Sequence, residues 1–355
     1  MELFAIIMAG GVGSRFWPRS RVRNPKQLLK IFGDNTMIQN TVKRLEGLVP
    51  GKNIFIITNK VQKLRVKDQL PDIPIENIID EPFGKNTAPC IGLASLFIKQ
   101  KNPQAVTIVL PADHLIQDVK NFQLNVKKAA KFAAEKKGLV TIGIVPTRPE
   151  TGFGYIQIEE KPLLDSVYKV TTFAEKPNLE TAKRFLKSGD FMWNSGMFIW
   201  RVDVILDEIK NLLPELYLGL RKIEKSFSEG NYEKTLVKVY GQLAKISIDY
   251  GIMEKSENVF LIKGDFDWND VGSWESVYEL SPKDDDGNAK VGEVYCSNTK
   301  NSYIYSLNKF SAIIGVENLI VINTPDALLV CKRENAQDVK SVVDYLNMNN
   351  KYELT

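Results

Sequence analysis

Histidine is nearly missing from this chain: His114 is the only one in 355 residues. Histidine-based triads and catalytic zinc sites of the common kinds are therefore poor fits. Cysteine is scarce as well. Cys90, Cys296 and Cys331 stand apart with no CxxC pair, which argues against a zinc knuckle or a disulfide framework. Each is expected to be a small buried apolar residue in a reducing, cytoplasmic setting. No apolar run reaches the length of a membrane span. The opening MELFAIIMAG has no positive region ahead of its apolar run, so it reads as a strand, not a signal peptide. A dense basic stripe is missing too. With a formal net charge of only +4, nucleic acid is a weak candidate partner.

What is present is local. AGGVGSR (residues 9–15) follows a short apolar run, and Arg15, Arg19, Arg21, Arg23 and Lys26 crowd the stretch after it. That excess suggests a small, highly charged anion near the N-terminus. The apolar runs at 3–8, 53–58, 77–79, 105–110 and 139–145 read as strands. Helical spacing appears at 37–45 (capped by Asn35), 86–100 (capped by Thr87) and 121–136. Strands alternating with helices imply an α/β fold: a Rossmann-like, mixed and mainly parallel sheet flanked by helices. Beyond residue 151 short strands are expected at 153–158, 169–175 and 197–201, with a helix over 179–187 between Asn178 and Gly189. Several helices fill 203–245. The polar SPKDDDGNAKVG (281–292) reads as a linker. It separates a catalytic domain, 1–280, from a β-rich, β-helix-like domain, 293–355, with strands at 302–305, 311–316, 319–323 and 327–331 and a helix over 336–346.

In a parallel sheet, ligands bind beyond the carboxyl ends of the strands. Three groups fall at such positions. Gly10, Gly11 and Gly13 let the backbone approach an anion closely, with Arg15 and Lys26 supplying charge. Asp113 follows the strand at 105–110. Asp270 lies in DWNDVG (267–272), again beside a glycine. Two aspartates facing a phosphate nest suggest Mg2+, which takes one or two carboxylates together with substrate phosphates. Each group also has a plain structural reading. The glycines can be tight geometry, the arginines a solvated face, the aspartates helix caps, and His114 a structural hydrogen-bonding residue. A dinucleotide fingerprint is not met, since Gly11 and Gly13 are followed by Phe16, and Gly84-Lys85 is followed by Asn86 where a Walker A loop needs Ser or Thr. Phosphate chemistry does not need a histidine base, because a phosphate monoester is mostly dianionic at neutral pH, its second pKa being about 6.

GGVGSRFWPRSRVRNPKQLL resembles the signature of the sugar-1-phosphate nucleotidyltransferases. EPFGKNTAP (81–89), LPADH (110–114), GYIQI (154–158), FAEKP (173–177), WNSGMF (193–198), ISIDYGIMEK (246–255) and WNDVGSW (268–274) follow in an order similar to that of the mannose-1-phosphate guanylyltransferase family. The resemblance implies transfer of a guanylyl group from GTP to mannose 1-phosphate, giving GDP-mannose and pyrophosphate, with Mg2+. It implies that Gly10, Gly11, Gly13, Ser14 and Arg15 hold the nucleotide phosphates, that Arg15 and Lys26 are catalytic, and that Asp113 and Asp270 bind the metal. Gly154, Tyr155, Glu175, Lys176 and Asn194 would receive the sugar phosphate. Glu81 and Asn86, in the EPFGKNTAP loop, are assigned to the nucleotide. Glu81 would accept hydrogen bonds from guanine N1–H and the 2-amino group; the other reading makes it a brace of its loop. Asp249 and Tyr250 read as a helix start, and Trp193, Phe198 and Trp200 as core. Too few residues follow 292 for the cupin-type isomerase domain of longer members, so that activity is not expected. The tail resembles the short β-helix of shorter members, which implies a homodimer. A different sugar 1-phosphate, or a silent GDP-mannose-binding subunit, are the rival readings.

Overall fold

A run of apolar residues with no polar interruption can only be satisfied by burial on both faces. Leu3–Met8 forms such a strand, with Ile6 and Ile7 fully shielded. In the computed structural model, which describes residues 1–164 and 166–355, the further strands are β2 (Ile54–Asn59), β3 (Ile78–Glu81), β4 (Val106–Pro111), β5 (Leu115–Ile116), β6 (Leu139–Ile144), β7 (Tyr155–Ile158), β8 (Val167–Ala174), β9 (Phe191–Arg201), β10 (Val259–Gly264), β11 (Trp268–Asn269), β12 (Ala289–Ser297), β13 (Tyr303–Ile314), β14 (Leu319–Asn323) and β15 (Leu328–Lys332), after β1 (Leu3–Met8). The α-helices are α1 (Met37–Lys43), α2 (Lys63–Gln69), α3 (Thr87–Lys101), α4 (Val119–Lys136), α5 (Leu179–Ser188), α6 (Val202–Leu212), α7 (Pro214–Glu229), α8 (Tyr232–Gln242), α9 (Trp274–Leu280) and α10 (Val339–Met348).

The chain forms two compact units. One comprises Met1–Gly10, Thr41–Ala112 and Ile116–Trp268; the other comprises Gly11–Asn40, Asp113–Leu115 and Asn269–Thr355. The first is built on a nine-stranded sheet in the order β3-β2-β1-β4-β9-β6-β10-β8-β7. Its parallel character lies in β3-β2-β1-β4 and in the β6–β10 pair. β9 runs antiparallel to both β4 and β6 and separates them, which makes the sheet mixed. Helix α3 is apolar on nearly every side because it lies between the sheet and helices α6 and α7. Each of its buried leucines and isoleucines contributes about 1.5–3 kcal/mol by leaving water.

In the second unit β12, β13 and β14 pair in parallel and β15 closes the sheet antiparallel to β14. Its core gathers Tyr303, Ile320 and Ile322 with Phe16, Trp17 and Trp274. The segment after the glycine turn therefore shares a core with strands some 300 residues later in the chain.

Several local expectations are corrected. Thr36, not Asn35, caps α1, in a reciprocal box: Thr36 N–H donates to Gln39 Oε1, and Gln39 N–H donates to Thr36 Oγ1. Asn86, not Thr87, caps α3, its Oδ1 accepting from Thr87 N–H, while Thr87 Oγ1 accepts from Ile248 N–H. Strand β12 begins at Ala289, inside the stretch read as a linker. The expected strands at 302–305 and 311–316 are one strand, β13. Cys90 is buried as expected, but Cys296 and Cys331 are half-exposed because they lie on the outer strands β12 and β15.

Candidate active site

The glycine turn is shaped by Gly13, whose φ of +72° is left-handed. A side chain there would also collide with Lys26 Cβ. The carbonyls of the turn are taken by protein donors: Gly11 by Gln27 Nε2, Val12 by Lys26 N–H and Gly13 by Ser20 Oγ. Ser14 and Arg15 begin the following helical turn, with Arg15 exposed.

Lys26 is only 4% exposed. Its Nζ donates to Asp113 Oδ2 at 2.9 Å and to the Asp270 carbonyl at 2.8 Å. Burial alone would raise the Asp113 carboxyl, but the charges of Lys26 and His114 and the Lys26 hydrogen bond outweigh it and hold the group below its ordinary range. Asp113 keeps about a third of its side chain open to solvent (36%). Asp270 precedes Val271, a buried β-branched residue held at φ +49°. Such backbone strain persists only where its surroundings impose it, and it clusters at functional sites. Gly272 leaves the space that the Asp270 carboxylate uses, since a Cβ there would lie 2.9 Å from Oδ2. Among the described residues no three His, Cys, Asp or Glu side chains converge as a metal cage. A pair of carboxylates is chemically suited to a hard divalent ion whose remaining ligands are phosphate oxygens and water.

The basic cluster divides in two. Arg19 donates to the Lys30 carbonyl and stacks over Tyr305 at 4.1 Å, and Arg21 pairs with Asp326 at 3.1 Å. These two arginines are engaged with protein groups, as Lys26 is with Asp113 and the Asp270 carbonyl, whereas Arg15 and Arg23 are exposed.

In the first unit a second cluster forms. Glu175 directly follows β8 and lies against Gly154, where any Cβ would overlap Glu175 Oε1. Asn194, on β9, donates from its main chain to the Gly154 carbonyl (2.8 Å) and from Nδ2 to Asp249 Oδ1 (2.8 Å) and Glu175 Oε1 (3.4 Å). Lys176, at φ +48°, pairs with Glu175 Oε2 at 2.8 Å. Desolvation works against its charge, but Glu175 prevails and raises its pKa. Tyr155 stands apart. It is fully buried, its ring lies against Phe185, and its hydroxyl accepts from Glu150 N–H. Trp193, Phe198 and Trp200 are core residues, as expected.

Asp249 belongs to this cluster, although its sequence context reads as a helix start. It opens a π-helical turn, Asp249–Met253, a form that recurs at functional sites. Burial and then the Glu175 charge push its carboxyl up to about 6. The one sequence signal is its place inside ISIDYGIMEK; its partner Asn194 is 55 residues away.

Glu81, at the end of β3, is 8% exposed. Its Oε1 is buried without a hydrogen-bond partner, and its Oε2 lies 3.7 Å from where a Cβ on Gly10 would be. Burial pushes its carboxyl up to about 7, partly offset by the Tyr240 hydroxyl. Asn86 is exposed and holds φ +69°, ψ −170°, a region that nearly only glycine occupies. Its loop is fastened by Lys85 Nζ to the Leu243 carbonyl at 2.7 Å.

Residues 4–287 match the Nucleotidyl transferase family model, and residues 292–346 match the MannoseP isomerase/GMP-like beta-helix domain. A mannose-1-phosphate guanylyltransferase of Salmonella muenchen is 40% identical over 99% of this chain and 75% of its own. One of Escherichia coli (strain K12) is 40% identical over 99% of this chain and 75% of its own. A Thermus thermophilus structure described as a mannose-1-phosphate geranyltransferase superposes with a TM-score of 0.87 at 31% identity, covering 98% of this chain and 100% of that one. The chain belongs to the mannose-1-phosphate guanylyltransferase family of nucleotidyl transferases.

Proposed function

We propose that the protein transfers a guanylyl group from GTP to mannose 1-phosphate, releasing pyrophosphate and forming GDP-mannose. The observation that carries this reading is the Lys26 ammonium, held between the Asp113 carboxylate and the Asp270 carbonyl and packed against Gly13 of the anion-binding turn. The sugar phosphate attacks the α-phosphorus in line and the β-phosphate oxygen leaves. No base is required, because the attacking monoester is already ionised, which fits a chain with one histidine. Catalysis is then positioning and charge neutralisation. Gly11, Gly13 and Ser14 receive the phosphates, Arg15 neutralises the leaving pyrophosphate, and Lys26 moves from Asp113 to the α-phosphate. Asp113 and Asp270 would hold Mg2+, which when bound would offset charge growing on the leaving group. Glu175 and Asn194 orient the sugar hydroxyls, with Asp249 behind Asn194, and Lys176 pairs with the sugar phosphate. The free cysteines suit a reducing, cytoplasmic setting.

Pyrophosphate release, crossing GTP, ATP, UTP and dTTP against mannose 1-phosphate and glucose 1-phosphate with Mg2+, tests the reaction. Release confined to GTP with mannose 1-phosphate is expected; the same rate with glucose 1-phosphate would refute the sugar assignment.

Glu81 supplies guanine selection in this reading. Only the ionised carboxylate accepts from both N1–H and the 2-amino group. Burial sets its pKa at about 7, so selection is present above that pH and is lost as pH falls through it. The ratio of GTP to ATP turnover should therefore rise between pH 6 and 8 and be flat and low in Glu81→Gln. A ratio that ignores both pH and the substitution would leave Glu81 as a brace of its loop.

A further inference from the structure

The segment that carries the anion-binding turn is seated on the C-terminal part of its unit by three separate devices. Trp17 Nε1 donates to the Leu354 carbonyl at 2.8 Å, and the Trp17 carbonyl accepts from Trp274 Nε1 at 3.1 Å. Arg21 Nη2 reaches both carboxylate oxygens of Asp326, at 3.2 and 3.1 Å, while Thr324 Oγ1 holds the same carboxylate from behind. Arg19 lies over the ring of Tyr305, which is otherwise part of the core shared with Phe16 and Trp17. Ser20, between the two arginines, bonds the Gly13 carbonyl at 2.7 Å. A shift at Arg19 or Arg21 is therefore passed directly to the residue that gives the turn its left-handed bend. From this connected path we infer that Arg21 and Trp17 are positioning residues for triphosphate binding, and that Asp326 and the Leu354 carbonyl form the seat that sets the turn. The β13 strand and the β14–β15 turn would thereby take part in nucleotide recognition without touching the nucleotide. The inference rests on the proposed role of the turn in holding GTP.

The effect should be selective and moderate. Asp326 is half-exposed and Arg21 Nη1 is buried without a partner, so the pair is held through one nitrogen. Asp326→Ala and Arg21→Met are expected to raise KM for GTP about fivefold, the factor corresponding to roughly 1 kcal/mol. KM for mannose 1-phosphate should stay within about twofold and Tm within about 3 °C. The reciprocal pair Arg21→Asp with Asp326→Arg should recover most of the loss. Trp17→Phe keeps a ring in the core, removes only the Nε1 donor, and should shift KM for GTP in the same direction. Arg15→Ala, measured in parallel, separates the two ideas. If Arg15→Ala weakens GTP and the Asp326 and Trp17 variants do not, the seat is refuted and the turn's role stands. If Arg15→Ala leaves GTP unaffected, the turn's role falls and the inference falls with it. Losses in both substrates that follow Tm would show a merely structural contact and overturn the inference.

Discussion

Asp113→Asn should slow guanylyl transfer by about 10³-fold at saturating Mg2+, a loss of roughly 4 kcal/mol of transition-state stabilisation. In the proposed reaction the carboxylate has two tasks. With no metal it balances Lys26, whose ammonium is almost wholly enclosed. In the proposed reaction it would become a metal ligand, and Lys26 would be released toward phosphate. The amide cannot balance a charge and is a weak ligand for a hard cation. Lys26 would then keep only the Asp270 carbonyl among its two hydrogen-bond partners. An enclosed, uncompensated ammonium is costly, and the solvent reaching Asp113 limits that cost to about 1–3 kcal/mol.

The stability effect has a defined pH dependence. Lys26 depresses the Asp113 pKa. Its contribution is therefore complete above the unfolded value of about 3.9 and is lost as pH falls through the lower folded value. The double variant Asp113→Asn/Lys26→Met should regain stability, since neither buried charge remains, but not activity. Pyrophosphate release and thermal unfolding, measured side by side, check both halves. An Asp113→Asn protein with more than about a tenth of wild-type turnover at saturating metal would remove Asp113 from the metal site.

That Lys26 meets Asp113 is not legible in the sequence as a contact, although each residue reads as functional by itself. They are 87 positions apart, and no local pattern reports which carboxylate an enclosed lysine meets. Most features set by near neighbours are legible, although the caps of α1 and α3 fall one residue from the sequence reading. The bounds of β1 follow from a run with no polar residue, and α5 from the Asn178 cap and the left-handed Gly189. Features set by distant partners are not. Strand β10, VFLIKG, is obscured because Lys263 interrupts its apolar pattern; the ammonium lies over the ring of Tyr168 on β8. β12 is hidden by Gly292, which sits at a bulge where a side chain would strike the Ser306 carbonyl. Arg19 and Arg21 look like anion ligands when charge is counted along the chain. Asp326, 305 residues away from Arg21, gives one of them another task.

Gly154→Ala should reduce kcat/KM for mannose 1-phosphate by about 10²-fold while leaving KM for GTP within about twofold. The argument is steric and needs no charge change. The new methyl group would overlap Glu175 Oε1, approach Glu175 Cδ at 3.0 Å and approach Asn194 Cβ at 3.3 Å. Glu175 cannot retreat freely, since its side chain is 6% exposed and its Oε2 is held by Lys176. Displacing it disturbs the hydroxyl acceptor, the Lys176 pair and the Asn194 amide together, so one methyl group acts on three proposed sugar contacts. Overpacking of this kind also destabilises, by about 1–3 kcal/mol. A fall in activity alone would therefore be ambiguous. Gly154→Ala/Glu175→Ala resolves it: removing the obstructed carboxylate should restore Tm but leave sugar-phosphate use impaired. If the double variant instead regained normal use of mannose 1-phosphate, Glu175 would be a packing residue and the sugar would have to be recognised elsewhere.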